Sequence, residues 1–310
     1  MGKKNLRGAY NDFLDGEKLR DNAQVRTSLT GPASSGDHHH ASQAQPHPPP
    51  PPPHHVETGK RRAPGNQANR KPRLTHFLCL PLVNADSRAQ LERNLAAFKQ
   101  ELEAEGVVPL AAIRPVGTLH LTLGVMALDE GLLAGAGRCL QELDLRRVLE
   151  DCTPALLAGA REEVLSVDLK ALVPMHARQK TSILYAEPVD SSARLYPFAS
   201  ALRAHFAERG FLVEDARPLK LHATILNTVY AKPKGRAAQN RARGHGPGAR
   251  SSIQVDASRL VERYEEFFWA QGVRVGRVQI CRMGARKVVG EAGEVVGEEY
   301  EEVFGKEIFG

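Results

Sequence analysis

The sequence predicts a mixed helix–sheet fold in which one strand–helix unit is built twice, behind a tail unable to join a core. Three observations carry the prediction. Composition changes abruptly at Leu74, from Pro, Gly, Ser, Asn and His to apolar residues. Two later stretches repeat one order of strand, helix and glycine. Each is followed by an apolar segment with a His-x-Thr triplet, Leu119-His120-Leu121-Thr122-Leu123 and Leu221-His222-Ala223-Thr224-Ile225.

Residues 1–73 are expected to form a disordered low-complexity tail, because they hold too little apolar area to offset the entropy of ordering. The proline run Pro48–Pro53 reads as a stiff polyproline II spacer. His38, His39, His40, His47, His54 and His55 read as compositional drift rather than a metal site. Lys60-Arg61-Arg62 and Arg70-Lys71-Pro72-Arg73 form two basic clusters, the pattern of a bipartite nuclear-import signal or of a nucleic-acid contact. A solvated linker with chance charge is the plain alternative.

Residues 74–310 are expected to form the domain. Phe77–Val83 is a short apolar run, the mark of a buried strand. Asn84-Ala85-Asp86-Ser87 can start a helix. Leu91, Leu95, Phe98 and Leu102 supply its apolar stripe, and Gly106 stops it. The second unit runs from the strand Ile183–Val189 through Asp190-Ser191-Ser192 to Leu195, Phe198, Leu202 and Phe206, with Gly210 as the stop. Residues 256–270 read as a further helix, on which Phe267, Phe268 and Trp269 follow the stripe of Leu260 and Tyr264, so that at least the two phenylalanines are expected in the core. Residues 231–252 hold many Lys and Arg and no large apolar side chain, so they read as a basic mobile insertion at the surface.

Whole-chain properties narrow the function classes. Lys+Arg 42 against Asp+Glu 36 gives a net charge of +6 and a pI near 9.2, a mild lean towards an anionic partner. No run of about 18 apolar residues is present, so no membrane is expected. No secretory signal opens the chain, and the expected location is nucleus and/or cytoplasm. Cys79, Cys139, Cys152 and Cys281 lack paired spacing, so buried free thiols are expected and no metal site.

A chain with 12 His yields roughly 0.4 His-x-Thr matches by chance. A single match would be uninformative, but two at equivalent places in a repeat are not. On a strand, residues i and i+2 point to one face. Each unit therefore aims an imidazole and a hydroxyl the same way, and the repeats can line a shared groove. Two histidines can serve as base and acid in one step. Two threonine hydroxyls can stabilise charge developing on the nonbridging oxygens of a phosphate. Paired core histidines are the bland alternative. The sequence does not say which histidine is the base.

At these residues the chain resembles the 2H phosphoesterase superfamily, the 2′,5′-RNA-ligase-like proteins. The resemblance is closest to the type found in an A-kinase-anchoring protein and in a subunit of the activating signal cointegrator complex. THFLCLPLV (75–83), KTSILYAEPV (180–189), LKLHATILNTVYAK (219–232) and VRVGRVQICRMGAR (273–286) carry it. It implies a bilobal α+β fold with an antiparallel sheet in each lobe and a central cleft. It maps His120, Thr122, His222 and Thr224 to catalytic positions. The activity it implies is metal-independent and cofactor-free phosphodiester cleavage, on 2′-linked or 2′,3′-cyclic phosphates of RNA or oligonucleotides. Lys220 and Tyr185 are weaker candidates for substrate binding: Lys220 can neutralise phosphate or be a solvated strand-end lysine, and Tyr185 can stack on a base or simply pack in its strand. The competing reading is a non-catalytic module that binds a nucleotide or RNA end within a nuclear RNA-processing or transcription coactivator complex.

Overall fold

The computed structural model describes residues 73–106, 108–153, 164–231 and 253–309. The tail with its basic clusters, apart from Arg73, and the insertion beyond Ala231 lie outside the described residues.

Both predicted units form. β1 (His76–Pro81) leads into α1 (Ala85–Glu105). The Asn84 side chain accepts from the backbone N–H groups of Asp86 and Ser87, and the Ser87 hydroxyl accepts from the Asn84 N–H, a reciprocal cap. Leu91, Leu95, Phe98 and Leu102 are all buried. Gly106 closes the helix at φ 65°, where a Cβ is unfavourable.

The second unit is β4 (Ile183–Val189) and α4 (Leu195–Glu208), with Leu195, Phe198, Leu202 and Phe206 buried. Here the N-cap position, Arg194, makes no side-chain cap, and Asp190 serves the helix start from outside it. Its carboxylate accepts from the Ser192 N–H, the Ser192 hydroxyl and the Leu195 N–H at 2.8, 2.6 and 2.6 Å. Asp190→Ala is expected to cost about 1 kcal/mol, as loss of a helix cap does. Urea unfolding of the variant beside the parent measures this, and an unchanged midpoint would refute it.

The strands form two four-stranded antiparallel sheets of matching plan. The first runs β2 (His120–Met126), β1, β7 (Arg277–Arg282) and β10 (Glu302–Glu307). The second runs β5 (Ala223–Asn227), β4, β3 (Ser166–Pro174) and β6 (Phe268–Arg274). In each, the first strand of a unit pairs antiparallel with the strand of its His-x-Thr triplet, and the latter takes the sheet edge. A separate hairpin, β8 (Arg286–Val289) and β9 (Val295–Glu299), precedes β10. Two short helices, α2 (Glu130–Glu142) and α3 (Leu145–Asp151), follow β2.

The two lobes share one contiguous hydrophobic core. α1 belongs to the first unit by sequence, yet it lies along β6 of the second sheet, where the Asn94 amide donates to the Trp269 carbonyl at 2.9 Å. Alternate residues of β1 go to opposite sides. Leu78 and Leu80 enter the main core, whereas Phe77 and Cys79 form a second small cluster with Cys281.

The predicted helix over 256–270 requires correction. α5 spans only Ser258–Arg263, and Phe268 opens strand β6. The helical stripe does not hold: Phe268 is 36% exposed, while Trp269 is fully buried. The indole N–H donates to the Ala171 carbonyl at 2.6 Å. Backbone pairing of β6 with β3, invisible to local periodicity, decides the segment.

Candidate active site between the sheet edges

The site is built where β2 and β5 approach. Residues just before β2 bind β5 directly: Ile113 bridges Leu226, and the Arg114 N–H donates to the Ile225 carbonyl at 2.8 Å. On the β2 side, the Val213 N–H donates to the Val125 carbonyl at 2.8 Å. These contacts join two edges whose backbone groups would otherwise lack ladder partners.

His120 opens β2, and in register it faces Pro81, while Thr122 faces Cys79. Both lie on the face that carries Phe77 and Cys79, away from the leucines of the main core. His222 stands immediately before β5, and Thr224 faces Tyr185. All four candidate side chains are half-buried. The two motifs also share one local lock. His120 Nδ1 lies 2.8 Å from the Thr118 carbonyl, and His222 Nδ1 lies 2.9 Å from the Lys220 carbonyl. A carbonyl only accepts, so each Nδ1 carries the hydrogen and each neutral ring has its lone pair on Nε2.

The electrostatics couple the two rings. Burial lowers the pKa of His120 from 6.5 to about 4, the Thr118 carbonyl opposes that shift, and the charges of Arg114 and His222 add to it. Because the folded value lies below the unfolded one, the unfolded chain takes up the proton first as pH falls. The stability involved is complete above pH 6.5 and is lost towards pH 4. It amounts to at most about 3 kcal/mol for this half-buried ring. His120→Gln should therefore flatten the fall of unfolding free energy between pH 6.5 and 4; an equally steep fall in the variant would contradict the assignment.

Three residues that sequence reasoning passed over shape the site. Phe77 packs on His120 with ring centroids 4.8 Å apart. Tyr300 meets His120 edge-on at 5.2 Å and Phe77 at 4.9 Å. Arg114 is buried, stacks its guanidinium 3.7 Å over the Tyr230 ring, and places Nη2 3.4 Å from the Tyr300 hydroxyl. Only Arg114 left a trace in the sequence, as a charge in the otherwise apolar stretch Leu110–Val116. Tyr300 sits among Glu298, Glu299, Glu301 and Glu302 with nothing local to mark it.

The weaker candidates gather at His222. Lys220 is exposed, with Nζ 4.8 Å over the Tyr185 ring, and Tyr185 meets the His222 ring at 5.4 Å. Tyr185 is only 3% exposed. Its ring supports His222 from within the sheet, and that favours the strand-packing alternative over base stacking. Asn227 accepts from the Val229 N–H at 3.1 Å and caps the turn after β5. Among the described residues, no group of three or more His, Cys, Asp or Glu side chains is disposed to hold a metal ion.

Similar proteins were found at three levels. Solved structures similar to this chain include Escherichia coli LigT complexed with 3′-AMP, at 13% identity and TM-score 0.42, covering 76% of this chain and 99% of that one. Another is TT0787 of Thermus thermophilus, at 14% identity and TM-score 0.40, covering 76% and 98%. An uncharacterized protein of Schizosaccharomyces pombe is 29% identical over 226 residues, 72% of this chain and 92% of that protein. The family model described as AKAP7 2′5′ RNA ligase-like domain matches residues 74–291. The chain thus belongs to the AKAP7 2′5′ RNA ligase-like domain family.

Proposed function

We propose that this protein is a metal-independent phosphodiesterase acting on 2′-linked or 2′,3′-cyclic phosphates of RNA or oligonucleotides. The single observation that carries the proposal is the duplicated lock: two histidines, one on each sheet edge, both holding Nδ1–H on the carbonyl two residues upstream. Such a lock fixes the orientation of each ring in advance and makes Nε2 its basic nitrogen. Core histidines would need no matching tautomers.

Roles follow from the electrostatics. His120 is neutral at pH 7 and acts as the general base, taking a proton through Nε2 from water or from a ribose hydroxyl. The activated oxygen attacks phosphorus as the bond to the leaving oxygen breaks. His222 is then the general acid and gives a proton to that leaving oxygen. Thr122 and Thr224 donate to the nonbridging oxygens, whose charge grows in the transition state. Each proton-transfer role is worth typically about 10²–10⁴-fold.

The test is turnover by purified protein in EDTA of 2′,5′- and 3′,5′-linked oligoadenylates and of RNA ending in a 2′,3′-cyclic phosphate. Cleavage of a 2′-linked or cyclic substrate that is lost in His120→Ala and His222→Ala supports the reading. Loss of activity in EDTA would remove the metal-independent part. The acid limb of kcat/KM against pH should fall near pH 4, where His120 titrates; a limb centred at 6.5 would assign the base elsewhere.

For the tail we propose nuclear import through the basic clusters at 60–73. A fused reporter with Lys60, Arg61, Arg62, Arg70, Lys71 and Arg73 neutralised should lose nuclear accumulation, and undiminished nuclear signal would count against it.

A further inference from the structure

The family match ends at residue 291, and one of the rings packed on His120 belongs to the chain beyond it. Tyr300 joins β9 to β10, and its backbone is held on both sides. On one side β9 rests on the turn before His120, so closely that a Cβ on Gly117 would lie 2.6 Å from the Glu298 carbonyl oxygen. On the other, the Arg282 N–H donates to the Glu301 carbonyl at 2.9 Å. Tyr300 is thereby brought to His120 and Phe77, and the three rings touch pairwise with centroids 4.8–5.2 Å apart.

The hydroxyl end of Tyr300 has an anchor in Arg114. That residue is buried, and its Nη2 donates to the Tyr300 hydroxyl at 3.4 Å. Its guanidinium lies over Tyr230, in the turn after β5, and its backbone N–H donates to Ile225 of β5. Arg114 is thus fixed to the second sheet while its tip reaches a ring that packs on the first. The Thr118 carbonyl holds the Nδ1 edge of His120, and the Phe77 and Tyr300 rings pack against the imidazole. Such packing restricts the direction of Nε2 and keeps water from the ring, which disfavours the imidazolium.

We infer that Tyr300 is a positioning residue for His120, and that Arg114 acts through it by holding the hydroxyl. Together they keep the imidazole oriented and unprotonated. The consequence for rate rests on the phosphodiesterase reading, whereas the consequence for the ring itself does not. Other charged groups reach the cavity beside His120 from α1 (Arg88), from β8 (Arg286), and from Glu299, Glu301 and Glu302 around Tyr300. The thiols of Cys79 on β1 and Cys281 on β7 line it as well, and His222 acts on His120 from before β5. All of these are left unchanged in the variants that test the inference.

The experiment follows the His120 ring protons by NMR against pH in the full chain, with the resonance assigned by its loss in His120→Gln. In the parent the ring should titrate near 4. Tyr300→Leu removes the aromatic ring and should move the midpoint up towards 6.5 by about one pH unit, a tenfold gain in proton affinity. Tyr300→Phe and Arg114→Lys break the anchor from its two ends, the first keeping the ring and the second the positive charge. Each should give a smaller upward shift, and the two combined should go no further than the larger single one. The ratio of kcat/KM at pH 7 to that at pH 5, near one for a base titrating near 4, should rise about twofold in Tyr300→Leu. Urea unfolding identifies the variants that fold, and Tyr300→Phe keeps the test intact where the Leu variant does not. An unmoved midpoint in every folded Tyr300 variant overturns the positioning role, whatever the turnover. A shift in Tyr300→Leu or Tyr300→Phe without one in Arg114→Lys overturns the part given to Arg114. Moved midpoints with no turnover in any of the proteins overturn the phosphodiesterase reading and keep the positioning role.

Discussion

Replacing either His120 or His222 by alanine is expected to lower kcat/KM on the best 2′-linked or cyclic substrate by about 10²–10⁴-fold, since each removes one proton-transfer partner. The double variant should fall little further than the worse single one, because groups that act in one step lose their effect together. The comparison is informative because neither ring is part of the main core. Both stand half-buried at sheet edges, and the apolar residues beside them, Leu121 and Ala223, face inward and remain. His120 does pack against Phe77 and Tyr300, so His120→Gln and His222→Gln serve as fuller-sized companions. A variant that keeps its unfolding midpoint and loses activity locates the effect in the chemistry. Turnover unchanged in either substitution would end the two-histidine assignment.

The second large effect concerns the fold. Trp269→Ala is expected to destabilise the protein by about 3–5 kcal/mol, the range for truncating a fully buried large aromatic. Trp269 is fully buried and stacks on Tyr264 at 5.5 Å. It meets Phe98 edge-on at 5.2 Å and Phe267 at 5.1 Å. Its removal leaves a cavity between α1, α5 and β6 and orphans the Ala171 carbonyl, which now accepts the indole N–H. Ala171 itself has φ 60°, a left-handed backbone conformation in the irregular part of β3, so this hydrogen bond helps to hold a strained turn of the chain. Trp269→Phe should recover most of the packing but not the hydrogen bond, giving an intermediate loss. Chemical denaturation of the three proteins checks the order. A Trp269→Ala protein within about 1 kcal/mol of the parent would show that β6 is not the keystone between helix and sheet.

Local chemistry made much of this molecule readable before any coordinates. The capping residues Asn84 and Asp190, the stripes of α1 and α4, and the terminating Gly106 and Gly210 are short-range features, and each predicted element formed around them. The paired triplets were readable because period-two geometry is a property of the strand alone. The segment 256–270 departs from its helical reading because Leu260, Tyr264, Phe267, Phe268 and Trp269 match a helical stripe by spacing alone. Pairing of β6 with β3 outweighed that pattern, burying Trp269 and exposing Phe268.

By itself, then, the sequence determined the duplicated unit, its helix limits and the common direction of His and Thr in each motif, because all three depend on neighbours a few residues apart. Only the tertiary structure decided what surrounds the motifs: Arg114 laid on Tyr230, Tyr300 brought beside His120, and a cavity lined both by Arg88 and Arg286 and by Glu299, Glu301 and Glu302. Those choices depend on contacts between segments far apart in the chain, as between Arg114 and Tyr300, 186 residues apart. Burial and charge there shift His120 to about 4, and no local pattern encodes either quantity, since both are sums over whatever the fold packs nearby.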